Sequence, residues 1–133
     1  MQLMTIHPET LFQALADETR LRIIRLLATT DEEACLCELV DSLREPAYKL
    51  SRHLKILRQA GLLTAQKDGR WVYHRLVSGP PYLDTLYATV RALPDSAQVY
   101  QADLARFKER MCLREGGRCR VGILSDDLKA EAR

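Results

Sequence analysis

Residues 35–76 constrain the fold of this chain more than any other segment. Their spacing of apolar and polar residues predicts two helices followed by two strands, over 36–43, 47–60, 62–67 and 70–76. Pro46 is suited to the start of the second helix, and Asp68-Gly69 predicts a tight turn between the strands. This order of elements is typical of a winged helix-turn-helix.

The flanking segments add helices to this unit. Apolar spacing and capping residues predict them over 8–16, 18–28, 82–92 and 97–113. Pro8 fits the first turn of the first helix, and Asp17 is a suitable N-cap for the second. The expected fold class is mainly α with one β-hairpin and five to six helices. Residues 1–115 should form one domain, and residues 116–133 a flexible tail.

The length and composition limit the number of domains, the class of protein and its location in the cell. A chain of 133 residues is the length of one domain, and a net charge of +2 does not by itself indicate a nucleic-acid binder. No apolar run approaches the ~20 residues of a membrane span, and the N-terminus lacks the pattern of a secretory signal. A cytoplasmic location is therefore expected, where the four cysteines would be reduced thiols.

The helix at 47–60 has one apolar and one basic side. Leu50, Leu54 and Leu57 share a stripe that should face the core. The other sides and the hairpin carry the predicted DNA contacts, which are Tyr48, Lys49, Ser51, Arg52, His53, Lys55, Lys67 and Arg70. Such a helix fits the major groove of double-stranded DNA, and a charged hairpin tip fits its backbone or minor groove. For His53 a hydrogen-bonded structural role is an equal alternative.

Four segments together resemble the ArsR/SmtB family of metal- and metalloid-responsive repressors. They are ALADETRLRIIRLL, CLCELVDSL, KLSRHLKILRQAGLL and DGRWVYHRL, and the resemblance spans about residues 8–92. It implies a homodimeric winged helix that represses transcription from an operator and dissociates when an inducer binds. It also implies that the first and fifth helices form the dimer interface and that the fourth reads DNA. Enzyme activity is not expected.

Cys35-Leu36-Cys37 resembles the arsenic-binding motif of that family. The family motif has a third cysteine three residues later, where this chain has Val40. As(III) and Sb(III) prefer three thiolates, and soft sulfur ligands favour soft ions. Two residues apart on an ideal helix point ~200° apart, so the helix start must fray or distort for both sulfurs to bind one ion. Binding would then deform the helix that supports the DNA-reading helix.

The sequence leaves several choices for the third ligand of this site. The candidate metal ligands are Cys35, Cys37, Cys112 and Cys119. Cys112 or Cys119 could complete the pair, or these two could form a separate site. A third possibility is that two thiols suffice, which would favour a trivalent organoarsenical. No permanent cofactor is expected.

Other inducers and a redox mechanism are alternatives to arsenic sensing. The zinc-type site of the family needs histidines on the fifth helix, but residues 82–92 offer only Asp84, so this site is rejected. A cadmium or lead sensor is less favoured, because residues 1–34 contain no cysteine. A thiol-redox repressor, in which Cys35–Cys37 or Cys112–Cys119 oxidises, remains an alternative.

Overall fold

The computed structural model describes residues 7–125 and Leu128. Within this part the chain forms six helices, which are α1 (Pro8–Leu15), α2 (Glu18–Thr30), α3 (Leu36–Leu43), α4 (Ala47–Gln59), α5 (Pro81–Arg91) and α6 (Val99–Met111). Their bounds lie within two residues of those predicted, and the predicted mainly α winged helix-turn-helix is confirmed. None of these six helices is long and apolar enough to cross a membrane.

A small antiparallel sheet accompanies the helices. Its strands are β1 (Ala34–Cys35), β2 (Leu63–Asp68) and β3 (Trp71–Leu76), in the order β1-β3-β2. The predicted hairpin of β2 and β3 is confirmed, but the predicted position of its turn is wrong by one residue. Asp68 pairs with Trp71, so the turn consists of Gly69 and Arg70. Gly69 has a φ of +64°, which suits the first position of a type II′ turn.

The core lies where the apolar faces of α2, α3 and α4 meet. Its most deeply buried side chains include Ile23, Ile24, Leu27, Leu39, Leu43, Leu50, Leu54 and Leu57. The apolar stripe predicted for α4 is thus confirmed as its buried face. Phe107 of α6 packs into the same core, so α6 is held against the helix-turn-helix unit.

The ends of the helices follow the predicted capping. The Asp17 carboxylate accepts a hydrogen bond from the backbone amide of Arg20, at 3.0 Å, and begins α2. Pro8 occupies the first turn of α1. Gly61, with a φ of +83°, lies just beyond α4 in the left-handed region expected for the residue after a helix. The local signals in the sequence therefore set the helix boundaries.

A glycine turn follows α6 and reverses the chain. Gly116 and Gly117 both have positive φ, and reciprocal backbone hydrogen bonds between Glu115 and Arg118 close the turn. Two central residues with positive φ are the requirement of a type I′ turn, which glycine meets without strain. The segment after the turn runs back towards the sheet and carries Cys119 with it.

Hydrogen bonds to α3 and α6 anchor this returning segment. Asp41 of α3 accepts from the backbone amides of Leu124 and Ser125, and Arg110 of α6 donates to the carbonyls of Val121 and Gly122. The sequence predicts a flexible tail over 116–133. Its described part instead packs on the domain, because these bonds are long-range and leave no local signal in the sequence. Residues 126, 127 and 129–133 lie outside the described residues.

Candidate functional site

Three of the four cysteines meet in one buried cluster. The sulfur atoms of Cys35, Cys37 and Cys119 lie within 4.8 Å of one another, and the three residues are 1%, 7% and 1% exposed. We refer to these three residues as the thiol cluster. Cys112 is exposed at the end of α6, where its thiol lies 3.4 Å from the carbonyl oxygen of Lys108. The structure thus brings together three of the four predicted ligands and leaves Cys112 apart.

Cys35 and Cys37 converge without any distortion of α3. Cys35 precedes the helix in an extended conformation, with φ −80° and ψ 159°, and pairs with Tyr73 as part of β1. The expected frayed or distorted helix start is therefore wrong for this state. The angle of ~200° applies only when both residues are helical. A strand of two residues was not predicted, because it is too short to show a periodic pattern.

Cys119 reaches the cluster from the segment after the glycine turn. Its sulfur lies 3.5 Å from that of Cys37, and its backbone amide donates to the Tyr73 hydroxyl at 2.9 Å. The carbonyl of Val121 accepts from both thiols, at 3.6 Å from Cys37 and 3.3 Å from Cys119. Tyr73 of β3 therefore fixes the third thiol.

The three thiols differ in acidity. The neighbouring Cys35 thiol lowers the pKa of Cys37 to about 7, against the effect of burial and with help from Cys119 and the Arg110 guanidinium. Burial raises the pKa of Cys119 to about 11, and the interaction with Cys37 raises the pKa of Cys35. Deprotonation is therefore easiest at Cys37. Thiolate is the form of cysteine that attacks and binds metals.

A buried ion pair holds the start of α3 beside the cluster. Glu38 is fully buried, and its carboxylate accepts two hydrogen bonds from Arg114, at 2.8 and 2.9 Å, and one from the Cys35 amide at 2.9 Å. Neither charged residue was predicted from the sequence. The signal for Glu38 was its position three residues after the N-cap Cys35, the spacing of a capping box. Arg114 lies too far along the chain for any local signal.

The predicted DNA-reading face of α4 is exposed. Tyr48, Ser51, Arg52 and Lys55 all point to solvent. Lys49 is half-buried on the flank, with its ammonium group 3.0 Å from the Glu45 carboxylate. The exposed side of α4 thus carries the cations of Arg52 and Lys55 together with the hydroxyl groups of Tyr48 and Ser51, donors that suit base edges and phosphates.

His53 lies on the inner side of α4. It is 7% exposed, and its Nδ1 lies 3.0 Å from a guanidinium nitrogen of Arg20 on α2. Burial lowers the pKa of His53, so the neutral ring is favoured. The structure places His53 in the structural alternative rather than among the DNA contacts, because it follows Leu50 by three residues on the buried side.

The hairpin of β2 and β3 forms the wing. Lys67 and Arg70 are both exposed on it, and the Arg70 guanidinium lies 4.6 Å from the centre of the Trp71 ring. Asp68, next to the turn, forms an ion pair at 2.5 Å with Arg118. Arg118 immediately precedes Cys119, so the wing and the thiol cluster are in direct structural contact.

Comparisons with known proteins agree with this architecture. The family model described as "Bacterial regulatory protein, arsR family" matches residues 17–65, which include the whole of α2, α3 and α4. An HTH-type transcriptional regulator of Methanocaldococcus jannaschii is 40% identical over 67 residues, which cover 50% of this chain and 74% of that protein. The chain belongs to the arsR family of bacterial regulatory proteins. The predicted family is confirmed.

Two further matches cover half to two thirds of the chain. The arsenical resistance operon repressor of Escherichia coli K12 is 49% identical over 69 residues, which cover 52% of this chain and 58% of that repressor. The crystal structure of the transcriptional regulator HlyU from Vibrio vulnificus has a TM-score of 0.57 and 31% identity, covering 65% of this chain and 86% of that one. These relatives are named as regulators rather than enzymes, as predicted. The chain therefore spans under three fifths of the E. coli repressor's length.

Proposed function

We propose that this protein is a homodimeric transcriptional repressor that releases its operator when the thiol cluster binds trivalent arsenic or antimony. The observation that carries the proposal is the meeting of three buried sulfurs within 4.8 Å. With metal–sulfur bonds of ~2.3 Å, three sulfurs bound to one ion lie at most about 4.0 Å apart. The sulfurs of Cys37 and Cys119 are already within this limit at 3.5 Å, so one ion can contact all three after the side chains move inward.

The donor set favours a soft ion that takes three ligands. The cluster found among the described residues consists of thiols alone, with no carboxylate or imidazole in the group. Thiolates select soft ions, whereas hard ions prefer oxygen ligands. The naming of the E. coli relative as an arsenical resistance repressor supports arsenic over cadmium or lead.

Operator binding is assigned to α4 and the wing. The exposed Arg52 and Lys55 would face base edges and phosphates of double-stranded DNA, and Lys67 and Arg70 would contact the backbone or minor groove. A second subunit would double this surface and fit a palindromic site. The large exposed rings of Phe12 on α1 and Tyr82 on α5 support these helices as the dimer interface.

Ligand binding would act on the DNA-reading elements through two connections. α3, which starts at the cluster, packs against α4 in the core. The segment carrying Cys119 is tied to the wing through Arg118 and Asp68. Drawing the three sulfurs together would displace both the start of α3 and this segment. A difference of only ~1.4 kcal/mol between the two states changes operator affinity tenfold.

The test is release of a labelled operator fragment, followed by fluorescence anisotropy during titration with arsenite. The wild-type protein should release the DNA. Cys37→Ser and Cys119→Ser should repress normally and fail to respond, whereas the matched control Cys112→Ser should respond as the wild type does. Release from Cys37→Ser at wild-type arsenite concentrations would contradict the proposal.

The same assay separates the rival sensors. Release by Cd(II) or Pb(II) where arsenite fails would identify a divalent-ion sensor. In a redox sensor, a disulfide between Cys37 and Cys119 is favoured over one at either predicted pair, because these two sulfurs are 3.5 Å apart. Release by peroxide without metalloid, reversed by dithiothreitol, would identify that mechanism.

A further inference from the structure

Four arginines follow one another at four-residue intervals through α6 and the segment after it. They are Arg106, Arg110, Arg114 and Arg118, and we refer to them as the arginine ladder. Residues four apart on a helix lie on the same face, and the face that carries Arg106 and Arg110 lies against α3. Of the four, only Arg118 takes part in the connections to the DNA-reading elements described above.

The first three members of the ladder bind α3 in reverse order. Each guanidinium donates to an oxygen atom of that helix. The pairs are Arg106 with the Ser42 carbonyl at 2.6 Å, Arg110 with the Asp41 carboxylate at 2.7 Å, and Arg114 with the Glu38 carboxylate at 2.8 Å. The two helices are therefore antiparallel. One end of the ladder lies beside the thiol cluster, and the other lies beside the turn that precedes α4.

The turn between α3 and α4 depends on α6 at two points. The first is the bond from Arg106 to the last turn of α3. The second is Asp103 of α6, which is 1% exposed and accepts two hydrogen bonds from Arg22, at 2.9 and 2.8 Å. Arg22 in turn donates to the Leu43 carbonyl and to the Glu45 carboxylate. Because the last carbonyls of a helix have no partner within it, α6 supplies, directly and through Arg22, the donors that end α3.

The thiol cluster depends on α6 at the opposite end. Arg110 is 4% exposed, and its Nη2 donates to the carbonyls of Val121 and Gly122, at 2.9 Å each. The same Val121 carbonyl accepts from the thiols of Cys37 and Cys119. A displacement of Cys119 towards the other two sulfurs therefore acts on α6 through a buried guanidinium.

We infer that α6 transmits inducer binding from the thiol cluster to the turn before α4, and that Arg106 is the positioning residue at the DNA-reading end. The inference rests on the proposed function and adds a third connection to the two described there. Arg106 lies about one helical turn, ~6 Å, from Arg110 on the same helix, so a displacement at Arg110 reaches the bond to Ser42. The Glu45 carboxylate, 3.0 Å from the Lys49 ammonium, passes it on to α4.

The first test measures the coupling between the two sites. Operator affinity is determined by fluorescence anisotropy with and without saturating arsenite, and the ratio of the two affinities is the coupling factor. Arg106→Gln should lower this factor by about tenfold, because Ser42 loses its bond to α6. The free variant should bind arsenite as the wild type does. Its binding is followed by the fluorescence of Trp71, the single tryptophan of the chain, which packs against the thiol cluster.

Two further variants separate the bond from the charge of Arg106. Arg106→Lys keeps the charge but cannot donate to Ser42 and Asp103 together, so its coupling factor should also fall. Lys108→Gln removes an exposed cation from the same helix and should keep the wild-type coupling factor. If Arg106 only stabilises the fold, Arg106→Gln lowers operator affinity equally with and without arsenite. An unchanged coupling factor would therefore overturn the inference.

The second test needs no inducer. Arg114→Lys disturbs the end of the ladder beside the thiol cluster, because lysine cannot replace a guanidinium that donates to the Glu38 carboxylate and to the Glu33 carbonyl together. The charge is kept, so Glu38 retains a cationic partner. The response is measured at the opposite end, at the backbone amide of Arg44, which donates to the Val40 carbonyl where α3 ends.

Hydrogen exchange followed by NMR compares the Arg44 amide with that of Ile24, a fully buried residue of α2 that reports global unfolding. Arg114→Lys should speed the exchange of Arg44 relative to Ile24 by about tenfold. In the Arg106→Gln background the same substitution should change it by less than ~2-fold, because the connection is already broken. An equal effect in both backgrounds would show that α3 alone carries the change, and the inference would fail.

These experiments separate the inference from the proposed function. Exchange is measured without inducer, so it does not depend on arsenite. If arsenite does not release the operator from the wild type, but Arg114→Lys speeds exchange at Arg44 only when Arg106 is present, the proposed function fails and the connection through α6 stands. If arsenite releases the operator equally well from the wild type and from Arg106→Gln, the inference alone fails.

Discussion

The proposed DNA-reading surface and the thiol cluster are built in opposite ways. The surface of α4 and the wing comes from one continuous stretch, residues 47–76, and its cations Arg52, Lys55, Lys67 and Arg70 are exposed. The thiol cluster joins Cys37 to a residue 82 positions away, and all three of its members are buried. Substitutions on a local, exposed surface can change what it binds without destabilising the fold. Substitutions in a buried site built from residues far apart in the sequence also affect the stability of the fold.

This difference predicts how substitutions should divide. Changes around the thiol cluster should alter stability or induction, while changes on the exposed face of α4 should alter operator affinity alone. Three substitutions below test this separation, from the largest expected effect to the smallest.

Glu38→Ala should have the largest effect. The substitution removes the nearer of the two carboxylates that pair with the Arg114 guanidinium, which is only 9% exposed, and leaves Glu32 at 3.7 Å; it also removes the acceptor for the Cys35 amide. Breaking a buried ion pair on one side costs about 3–5 kcal/mol. Urea unfolding should show this loss, while the exposed Glu109→Ala on α6 should stay within ~0.5 kcal/mol of wild type. Equal stability of the two variants would mean that the ion pair does not hold the site.

Asp41→Asn should have a smaller effect that depends on pH. Burial alone would raise the pKa of Asp41, but hydrogen bonds from Arg110 and from the amides of Leu124 and Ser125 lower it overall. A lowered carboxylate pKa stabilises the fold above the unfolded value of ~3.9. That contribution is lost as the pH falls through the lower, folded pKa.

The unfolding free energies of wild type and Asp41→Asn should therefore differ by about 1–3 kcal/mol near neutral pH, the cost of an incompletely satisfied buried group. The difference should shrink as the pH falls below about 3.9, because the carboxyl of the unfolded chain then takes up a proton that the folded one still resists, and it should vanish only below the lowered pKa of the folded state. A difference that stays constant down to pH 3 would show that the charge of Asp41 does not anchor the returning segment.

Arg52→Ala should change operator affinity and nothing else. Loss of one specific base contact costs about 1–3 kcal/mol, or a factor of roughly 5–150 in affinity. Stability and the response of Trp71 fluorescence to arsenite should match the wild type. Lys108→Ala, an exposed cation on α6, is the control that removes equal charge elsewhere. Equal weakening by both variants would indicate only nonspecific attraction to DNA.

The same division explains what the sequence could predict. α4 and the wing were predicted because Leu50, Leu54 and Leu57 repeat at helical spacing and Gly69 marks the turn, all within a few residues of one another. His53 was ambiguous, because its role depends on Arg20, which approaches from another helix.

The cluster could be predicted only in part. Cys35 and Cys37 were found from their spacing, but the selection of Cys119 over Cys112 depends on distant contacts. It requires the turn at Gly116-Gly117 and the hydrogen bond from Cys119 to Tyr73, which is 46 residues away. No periodic pattern in the sequence encodes such a contact. The same holds for Arg114, whose partner Glu38 is 76 residues away.

We propose that Cys119 joins Cys35 and Cys37 around one arsenic atom. X-ray absorption at the arsenic edge counts the sulfur neighbours directly in the arsenite complex of the wild type, Cys112→Ser and Cys119→Ser. We expect three sulfurs in the wild type and in Cys112→Ser, and two in Cys119→Ser. Three sulfurs in Cys119→Ser, with two in Cys112→Ser, would show that Cys119 is not a ligand.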